Sequence, residues 1–214
     1  MRRTITLALV CMLMTPAYAY CQSADIDLPK PEKTKGKPLM QALSLRRSTR
    51  SFADIEISEQ ELSNLLWAAN GINRPESGGR TAPSAMGSKE ITVYVARRDG
   101  LYQYDPDKNS LIQKGDEDIR KSTGKQDFTQ NAPVNLIYVA DFEKMHSGLS
   151  PDDKDFYAAT DTGFVSQNVY LYCASEGLVT VVLNWVDKEK LHARMGLTQK
   201  QKIILTQPVG YPDE

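Results

Sequence analysis

Hydrophobic residues recur at helical spacing in three parts of the chain. One apolar face begins after Pro38, and a second follows Ser58 and Glu61, which form a capping box. The longest pattern runs from Pro151 to Glu176 and ends at a stop signal, Gly177. These patterns predict three helices, and a shorter amphipathic pattern over 187–195 predicts a fourth.

The remaining apolar segments are typical of strands. Apolar residues alternate with polar ones from Ile91 to Val95, and Asp99-Gly100 is a tight-turn signal. The predicted strands cover 91–95, 101–104, 110–113, 134–140, 179–186 and 202–206. Because helices and strands are mixed without regular alternation, the pattern predicts an α+β fold: a central, mostly antiparallel sheet flanked by helices.

One stripe of the longest predicted helix has small and polar residues at its centre. The stripe consists of Phe156, Ala159, Gly163, Gln167, Tyr170 and Ala174. Glycine inside a helix costs roughly 1 kcal/mol relative to alanine. Gly163 therefore favours the close approach of a backbone or a flat ligand, with tight helix packing as the alternative.

The N-terminus has the features of a secretory signal. Arg2 and Arg3 precede the apolar run Ile5 to Met14, which is too short to cross a bilayer. Ala17 and Ala19 are small residues at the two positions that a signal peptidase recognises. We therefore predict a signal peptide over 1–19 and export, most simply to the periplasm, with an uncleaved anchor as the alternative.

The segment that follows is polar. Residues 20–37 contain prolines, lysines and few large apolar groups, which predicts a flexible tether before a domain spanning 38–214. Cys21 offers a second possibility, a lipidated N-terminus, which is the one case in which we expect membrane attachment. Cys173 lies in an apolar helical pattern and is expected to be a buried thiol.

Composition excludes several classes of function. The chain has 26 Lys+Arg against 27 Asp+Glu, so binding to nucleic acid through bulk positive charge is not expected. Neither His146 nor His192 stands in a metal-ligand spacing, and no nucleotide-binding or nucleophile motif occurs. The sequence thus offers no catalytic side chain and no metal site, which favours an enzyme whose cofactor carries the chemistry.

Positive charge is concentrated in the stretch 46–52, RRSTRSF. Arg46 and Arg50, with Ser48 between them, follow a predicted helix and can converge on a small anion such as a phosphate monoester. The alternative is a solvated cluster that complements the helix dipole.

Five blocks of sequence support the phosphate interpretation. In order, they are 46–52, 65–73, 80–96, 131–141 and 163–178, followed by the closing 209–212. Together they resemble the nitroreductase family of flavoproteins. The blocks around Trp67 and Thr81 look most similar to the subgroup that contains azoline-forming, thiazole-oxidising dehydrogenases.

The resemblance implies a set of FMN contacts. The basic-Ser-basic motif would hold the phosphate and ribityl chain, and the Pro-Ser block would lie beside the isoalloxazine of the neighbouring subunit, which places the FMN site at a homodimer interface. An amide ahead of the 131–141 block and a backbone segment after the long helix would face the ring. The residues so assigned are Arg46, Arg47, Ser48, Arg50, Pro83, Ser84, Ala85, Met86, Gln126, Leu183 and Asn184.

The resemblance also implies a reaction. A homodimer would use FMN in ping-pong electron transfer from NADH or NADPH to a small acceptor such as a nitroaromatic or a quinone. Because nicotinamide cofactors are scarce outside the cytoplasm, a donor protein is the alternative electron source. An azoline-type dehydrogenase, a flavin-binding protein without turnover, and a tethered interaction module are the other functions that we consider.

Two departures from the family pattern bear on the site. Gly87 and Lys89 stand where many members have Asn and Gln, and Asp213-Glu214 follow the Gly-Tyr-Pro after which many members have Lys or Arg. Because of the second departure, binding of the phosphate would depend more on Arg46 and Arg50.

Overall fold

The computed structural model describes residues 25–213, in which four α-helices accompany a seven-stranded and a two-stranded sheet. The helices are α1 (Leu39–Leu45), α2 (Glu59–Asn70), α3 (Pro151–Glu176) and α4 (Lys188–Arg194). The strands are β1 (Ile26–Asp27), β2 (Ile72–Arg74), β3 (Gly79–Arg80), β4 (Ile91–Arg97), β5 (Gly100–Asp105), β6 (Ser110–Gly115), β7 (Val134–Asp141), β8 (Val179–Thr180) and β9 (Gln201–Gly210).

The large sheet has the order β1-β6-β5-β4-β7-β9-β8, and every pairing of neighbours is antiparallel. Strand β7 is central and buried from Val134 to Ala140, as its continuous apolar run predicts. Helices α2 and α3 share one core with the sheet, while Leu191 of α4 joins a second cluster with Ile137 and Val139. The α+β prediction is confirmed.

Local signals explain where the main helices begin and end. Ser58 Oγ accepts a hydrogen bond from the Glu61 amide at 3.1 Å, so Ser58 is the N-cap of α2. The Glu61 carboxylate accepts from the Tyr172 hydroxyl, so the second bond of the predicted capping box is not formed. Ser150 Oγ caps α3 in the same way, and Gly177 ends α3 with a left-handed φ of 81°. The bounds of α3 agree with the prediction because both signals flank it.

Around Gly163 the predicted stripe faces outward, whereas its member Tyr170 is buried. The buried face of α3 contains Asp161, Val165, Val169 and Cys173, whereas Phe156 is 66% exposed. A Cβ built at Gly163 would meet no atom of residues 25–213 within 4 Å. Whatever approaches Gly163 closely therefore comes from outside the described part of this chain. Cys173 is buried, as predicted.

Residues 25–37 are packed against the domain, which corrects this part of the predicted tether. Ile26 pairs with Leu111 at the edge of the sheet, and Leu28 is buried. The Glu32 amide donates to Asn64 Oδ1, and the Lys37 amide to Ser175 Oγ, both at 2.7 Å. Polar partners on α2, α3 and β6 hold a segment that composition alone marked as free. The predicted signal peptide and Cys21 lie outside the described residues.

The segment after α3 is less regular than predicted. The predicted strand 179–186 shortens to β8 and a single bridge between Leu183 and Thr206. Its backbone groups bind other partners: the Val182 amide donates to the Tyr170 hydroxyl, and Trp185 O accepts from the Lys125 amide. The last strand, β9, is longer than the predicted 202–206, and the hairpin of β2 and β3 was not predicted.

Residues 25–213 contain neither a membrane-spanning helix nor a cluster of metal-binding side chains. None of the helices there is long and apolar enough to cross a membrane. These residues also contain no group of three or more His, Cys, Asp or Glu side chains that could hold a metal ion.

Candidate functional site

The basic stretch begins where α1 ends. Arg46 has φ −56° and ψ 121°. The Arg46 guanidinium lies 5.2 Å from the centroid of the Tyr170 ring, and Ser48 Oγ lies 2.8 Å from the Tyr170 hydroxyl. Arg46 and Ser48 therefore meet at one buried side chain, Tyr170.

Tyr170 also connects this stretch to the segment after β8. Its hydroxyl accepts a hydrogen bond from the Val182 amide at 2.9 Å, while the Thr49 amide donates to Thr180 O at 3.0 Å. These bonds place Arg46 and Ser48 beside the chain that leads into Leu183 and Asn184. Two groups of predicted site residues, far apart in sequence, thus lie together.

Gln126 joins the same region. The neighbouring Lys125 amide donates to Trp185 O at 3.0 Å, next to Asn184. A Cβ at Gly124 would lie 3.1 Å from Leu183 Cδ1, so the two segments are in contact. Gln126 Oε1 is buried and has no hydrogen-bond partner among residues 25–213. A buried acceptor of this kind is suited to a ligand that carries an N–H or O–H group.

A buried amide supports the segment that carries Gln126. Asn135 Nδ2, on β7, lies 2.7 Å from Thr129 O, 2.9 Å from Thr123 Oγ1 and 3.2 Å from Arg120 O. The Thr129 amide and hydroxyl both donate to Gln126 O. Asn135 was missed by the sequence reasoning, although an amide inside the apolar run of β7 is the signal that could have found it.

The arginines are free to bind an anion. Within residues 25–213, Arg46, Arg47 and Arg50 form no ion pair. One carboxylate comes close to the stretch, because Ser51 Oγ donates to Asp213 Oδ2 at 3.1 Å. Arg47 also lines a cavity of about 230 Å³ beside Tyr170. The stretch is therefore a cationic surface with an acidic neighbour, Asp213.

The Pro-Ser block lies elsewhere. Ala85 contacts Asp161 of α3, since its amide donates to Asp161 Oδ2 at 2.7 Å. Asp161 lies nine residues before Tyr170, or about 14 Å along the helix axis. The structure therefore separates Pro83, Ser84, Ala85 and Met86 from the arginines within one chain.

The backbone explains one departure from the family pattern. Gly87 has a left-handed φ of 67°, and asparagine is the non-glycine residue best suited to that region. The turn thus accepts either residue at position 87 for the same conformational reason. Lys89 and Met86, with φ of 52° and 54°, adopt this conformation without that advantage.

Removing the Tyr170 hydroxyl tests the junction between the two segments. Tyr170→Phe is expected to cost about 1–3 kcal/mol of unfolding free energy, because the Val182 amide loses its acceptor. Urea denaturation measures the change. Tyr157→Phe is the matched control on the same helix, since its hydroxyl has no hydrogen bond within residues 25–213. Equal losses in the two variants would contradict this role of Tyr170.

Comparison with known proteins gives the class to which this site belongs. The model of the nitroreductase family matches residues 43–211. A protein of Methanocaldococcus jannaschii that is named as a nitroreductase is 34% identical over 198 residues, covering 87% of this chain and 96% of the relative. The chain therefore belongs to the nitroreductase family, a family of oxidoreductases.

Solved structures agree with this assignment. A protein of Ralstonia eutropha JMP134, also named as a nitroreductase, is 41% identical with a TM-score of 0.85, over 96% of this chain and 97% of that chain. A Desulfovibrio desulfuricans protein solved in complex with FMN has 20% identity and a TM-score of 0.61, over 83% and 88% of the two chains. The NADPH:FMN oxidoreductase of Vibrio harveyi has 17% identity and a TM-score of 0.60, over 82% and 69%. The last two share the fold.

Proposed function

We propose that this protein is an FMN-dependent oxidoreductase that passes electrons from a donor to a small organic acceptor. One observation carries the proposal: Tyr170 brings Arg46 and Ser48 to the segment of Leu183, beside the unpartnered acceptor of Gln126. Family membership supports the same conclusion. The exposed arginines suit the phosphate of a flavin nucleotide. The buried acceptor of Gln126 suits the flavin ring, which carries N–H groups.

Each part of FMN has residues that fit it. Arg46, Ser48 and Arg50 would hold the phosphate through charge-assisted bonds, with Arg47 at the edge. Gln126 and the backbone of Leu183 and Asn184 would face the ring. When bound, FMN supplies the two-electron chemistry, while these side chains bind and orient the nucleotide and keep water from it. No acid or base from the protein is required.

A homodimer would complete the site. Leu39 and Met40 of α1 are 63% and 76% exposed, and Phe156 and Phe164 of α3 are 66% and 44% exposed. Large apolar side chains left uncovered on adjoining helices are typical of a protein interface. A second copy would cover them, approach Gly163 and bring its own Pro-Ser block to the FMN site. Light scattering of the purified protein is expected to give twice the chain mass.

Our choice of donor and acceptor is a proposal that family membership supports. We take NADH or NADPH as the donor and a nitroaromatic or quinone as the acceptor, bound in turn at an open site. A donor protein replaces the nicotinamide if residues 1–19 direct export. Sequencing the N-terminus of the mature protein tests export, with Tyr20 as the expected first residue. Oxidation of an azoline in place of reduction of an acceptor is the second function compatible with the same FMN site.

Colour and bleaching test the proposal. We expect the purified protein, after incubation with FMN and desalting, to retain one flavin per chain and to show its visible absorption. Anaerobic NADH or NADPH should bleach that absorption, and a nitroaromatic or quinone should restore it. Protein that retains no flavin would overturn the proposal. Retention without any bleaching would instead favour a flavin-binding protein without turnover.

Reversing the charge of Asp213, the acidic neighbour of the basic stretch, should strengthen FMN binding. Asp213→Lys places a cation beside Ser51, where Asp213 now accepts a hydrogen bond. Because this position is exposed, we expect a gain of only about threefold to fivefold in FMN affinity, declining as salt screens the charges. Fluorescence titration at low and high salt measures it. The matched control is Asp107→Lys, an equal change at an exposed position in the turn between β5 and β6.

A further inference from the structure

Two buried carboxyl groups lie under the Pro-Ser block, outside the residues already assigned to FMN. Glu90, just before β4, is 0% exposed, and Asp161, on the inner face of α3, is 3% exposed. Within residues 25–213, neither forms an ion pair with a lysine or arginine. Two buried negative charges without a cation would be costly, because each has lost its hydration.

The hydrogen bonds show how the cost is avoided. Asp161 Oδ2 accepts a hydrogen bond from the Ala85 amide at 2.7 Å. Both carboxyl oxygens of Glu90 are buried and have no hydrogen-bond partner within residues 25–213. Lys89 and Ile91, on either side of Glu90, line the same small cavity as Asp161. Ionised carboxylates only accept hydrogen bonds. Two adjoining carboxyl groups therefore bind each other only through a proton on one of them. Asp161 already has a donor in the Ala85 amide, whereas Glu90 has none, so the proton belongs on Glu90.

We propose that Glu90 is a neutral carboxylic acid that donates a hydrogen bond to Asp161, and that this pair positions the turn of residues 83–89 through the Ala85 amide. The turn needs such support, because Met86 and Lys89 both have positive φ. Ser84 closes the turn by accepting from the Lys89 amide at 3.0 Å. Glu90 and Asp161 are thus positioning residues. The link to FMN rests on the proposed function, whereas the shared proton does not.

The surroundings of Glu90 set the pH at which the proton is lost. Burial, and then the hydrogen bond and charge of Asp161, raise the pKa of Glu90 to about 7, while its own backbone and Lys144 act in the opposite direction. Arg80 and Lys89 line the small cavity next to Asp161. In the unfolded chain the pKa of Glu90 is near its ordinary 4.5. The stabilising contribution is therefore complete below about pH 4.5 and is lost as the pH rises to about 7.

Glu90→Gln tests the proton in the protein without FMN. The amide keeps the shape and still donates to Asp161, but it does not titrate. Between pH 5 and pH 8 we expect the melting temperature of the wild type to fall relative to that of Glu90→Gln. We also expect a protonated-carboxyl infrared band in the wild type at pH 5.5 that Glu90→Gln lacks. Parallel melting curves, or identical infrared spectra in this region, would overturn the proposal.

Variants of Asp161 test the positioning. Asp161→Asn keeps an oxygen for the Ala85 amide and offers an N–H to Glu90, so FMN affinity should stay near that of the wild type while the titration of Glu90 moves to lower pH. Asp161→Ala removes the bond to Ala85, and FMN affinity at pH 6 should fall roughly tenfold. Unchanged affinity in Asp161→Ala would overturn the positioning role. Failure of the wild type to bind FMN would count against the proposed function alone, because the pH test uses the protein without FMN.

Discussion

Replacing Arg46 and Arg50 together with alanine is expected to lower FMN affinity by more than tenfold and to leave the fold intact. Each arginine would make a charge-assisted bond to the phosphate, and such bonds are worth about 1.5–3 kcal/mol each. Neither side chain forms an ion pair within residues 25–213, so the main contact that the folded chain loses is that of Arg46 with the Tyr170 ring. Fluorescence titration gives the affinity, and thermal unfolding without FMN checks the fold.

The control for this variant removes the same charge from the opposite edge of the sheet. Lys108 precedes β6 and Lys114 lies in it, both exposed, whereas the Thr49 amide binds Thr180 of β8. Five strand spacings separate β6 from β8, about 24 Å, which exceeds the screening length in physiological salt. Lys108→Ala with Lys114→Ala should bind FMN like the wild type. Equal losses in both double variants would mean that net charge, and not this site, determines affinity.

The helices and the central strands could be predicted because their signals are local. The N-cap Ser58, the stop at Gly177 and the apolar run of β7 each fix an element without help from the rest of the chain. Residues 25–37 show the limit of this reasoning. Their packing against the domain depends on partners such as Asn64 and Ser175, which lie far away in the sequence.

The candidate site could likewise be predicted only in part. The stretch containing Arg46 and Ser48 is visible as a charge pattern, but its attachment to Val182 through Tyr170 depends on a tertiary contact. Asp161 illustrates why buried polar groups escape sequence reasoning. Asp161 lies on the inner face of α3 with Ala158 and Val165. From the sequence alone, a carboxylate at this position only interrupts the apolar pattern, and its role becomes clear once its partner is known.

Asn135→Leu is expected to destabilise the protein and to weaken FMN binding together. Leucine has a similar shape but donates no hydrogen bond, so the buried acceptors Arg120 O, Thr123 Oγ1 and Thr129 O all lose the Asn135 amide. Leaving buried groups unpaired costs about 1–3 kcal/mol each, and a non-additive total of about 3 kcal/mol lowers the melting temperature by roughly 6–12 °C. Calorimetry of the variant without FMN measures this loss.

The effect on FMN should follow from the same bonds. Thr129 connects Asn135 to the backbone of Gln126, so loosening this segment displaces an acceptor proposed to face the flavin ring. We therefore expect FMN affinity to fall even at temperatures where Asn135→Leu is fully folded. Asn131→Ala is the control, an exposed amide in the same connection that makes no side-chain hydrogen bond within residues 25–213. If Asn135→Leu lost stability and yet bound FMN like Asn131→Ala, Gln126 would have no part in holding the cofactor.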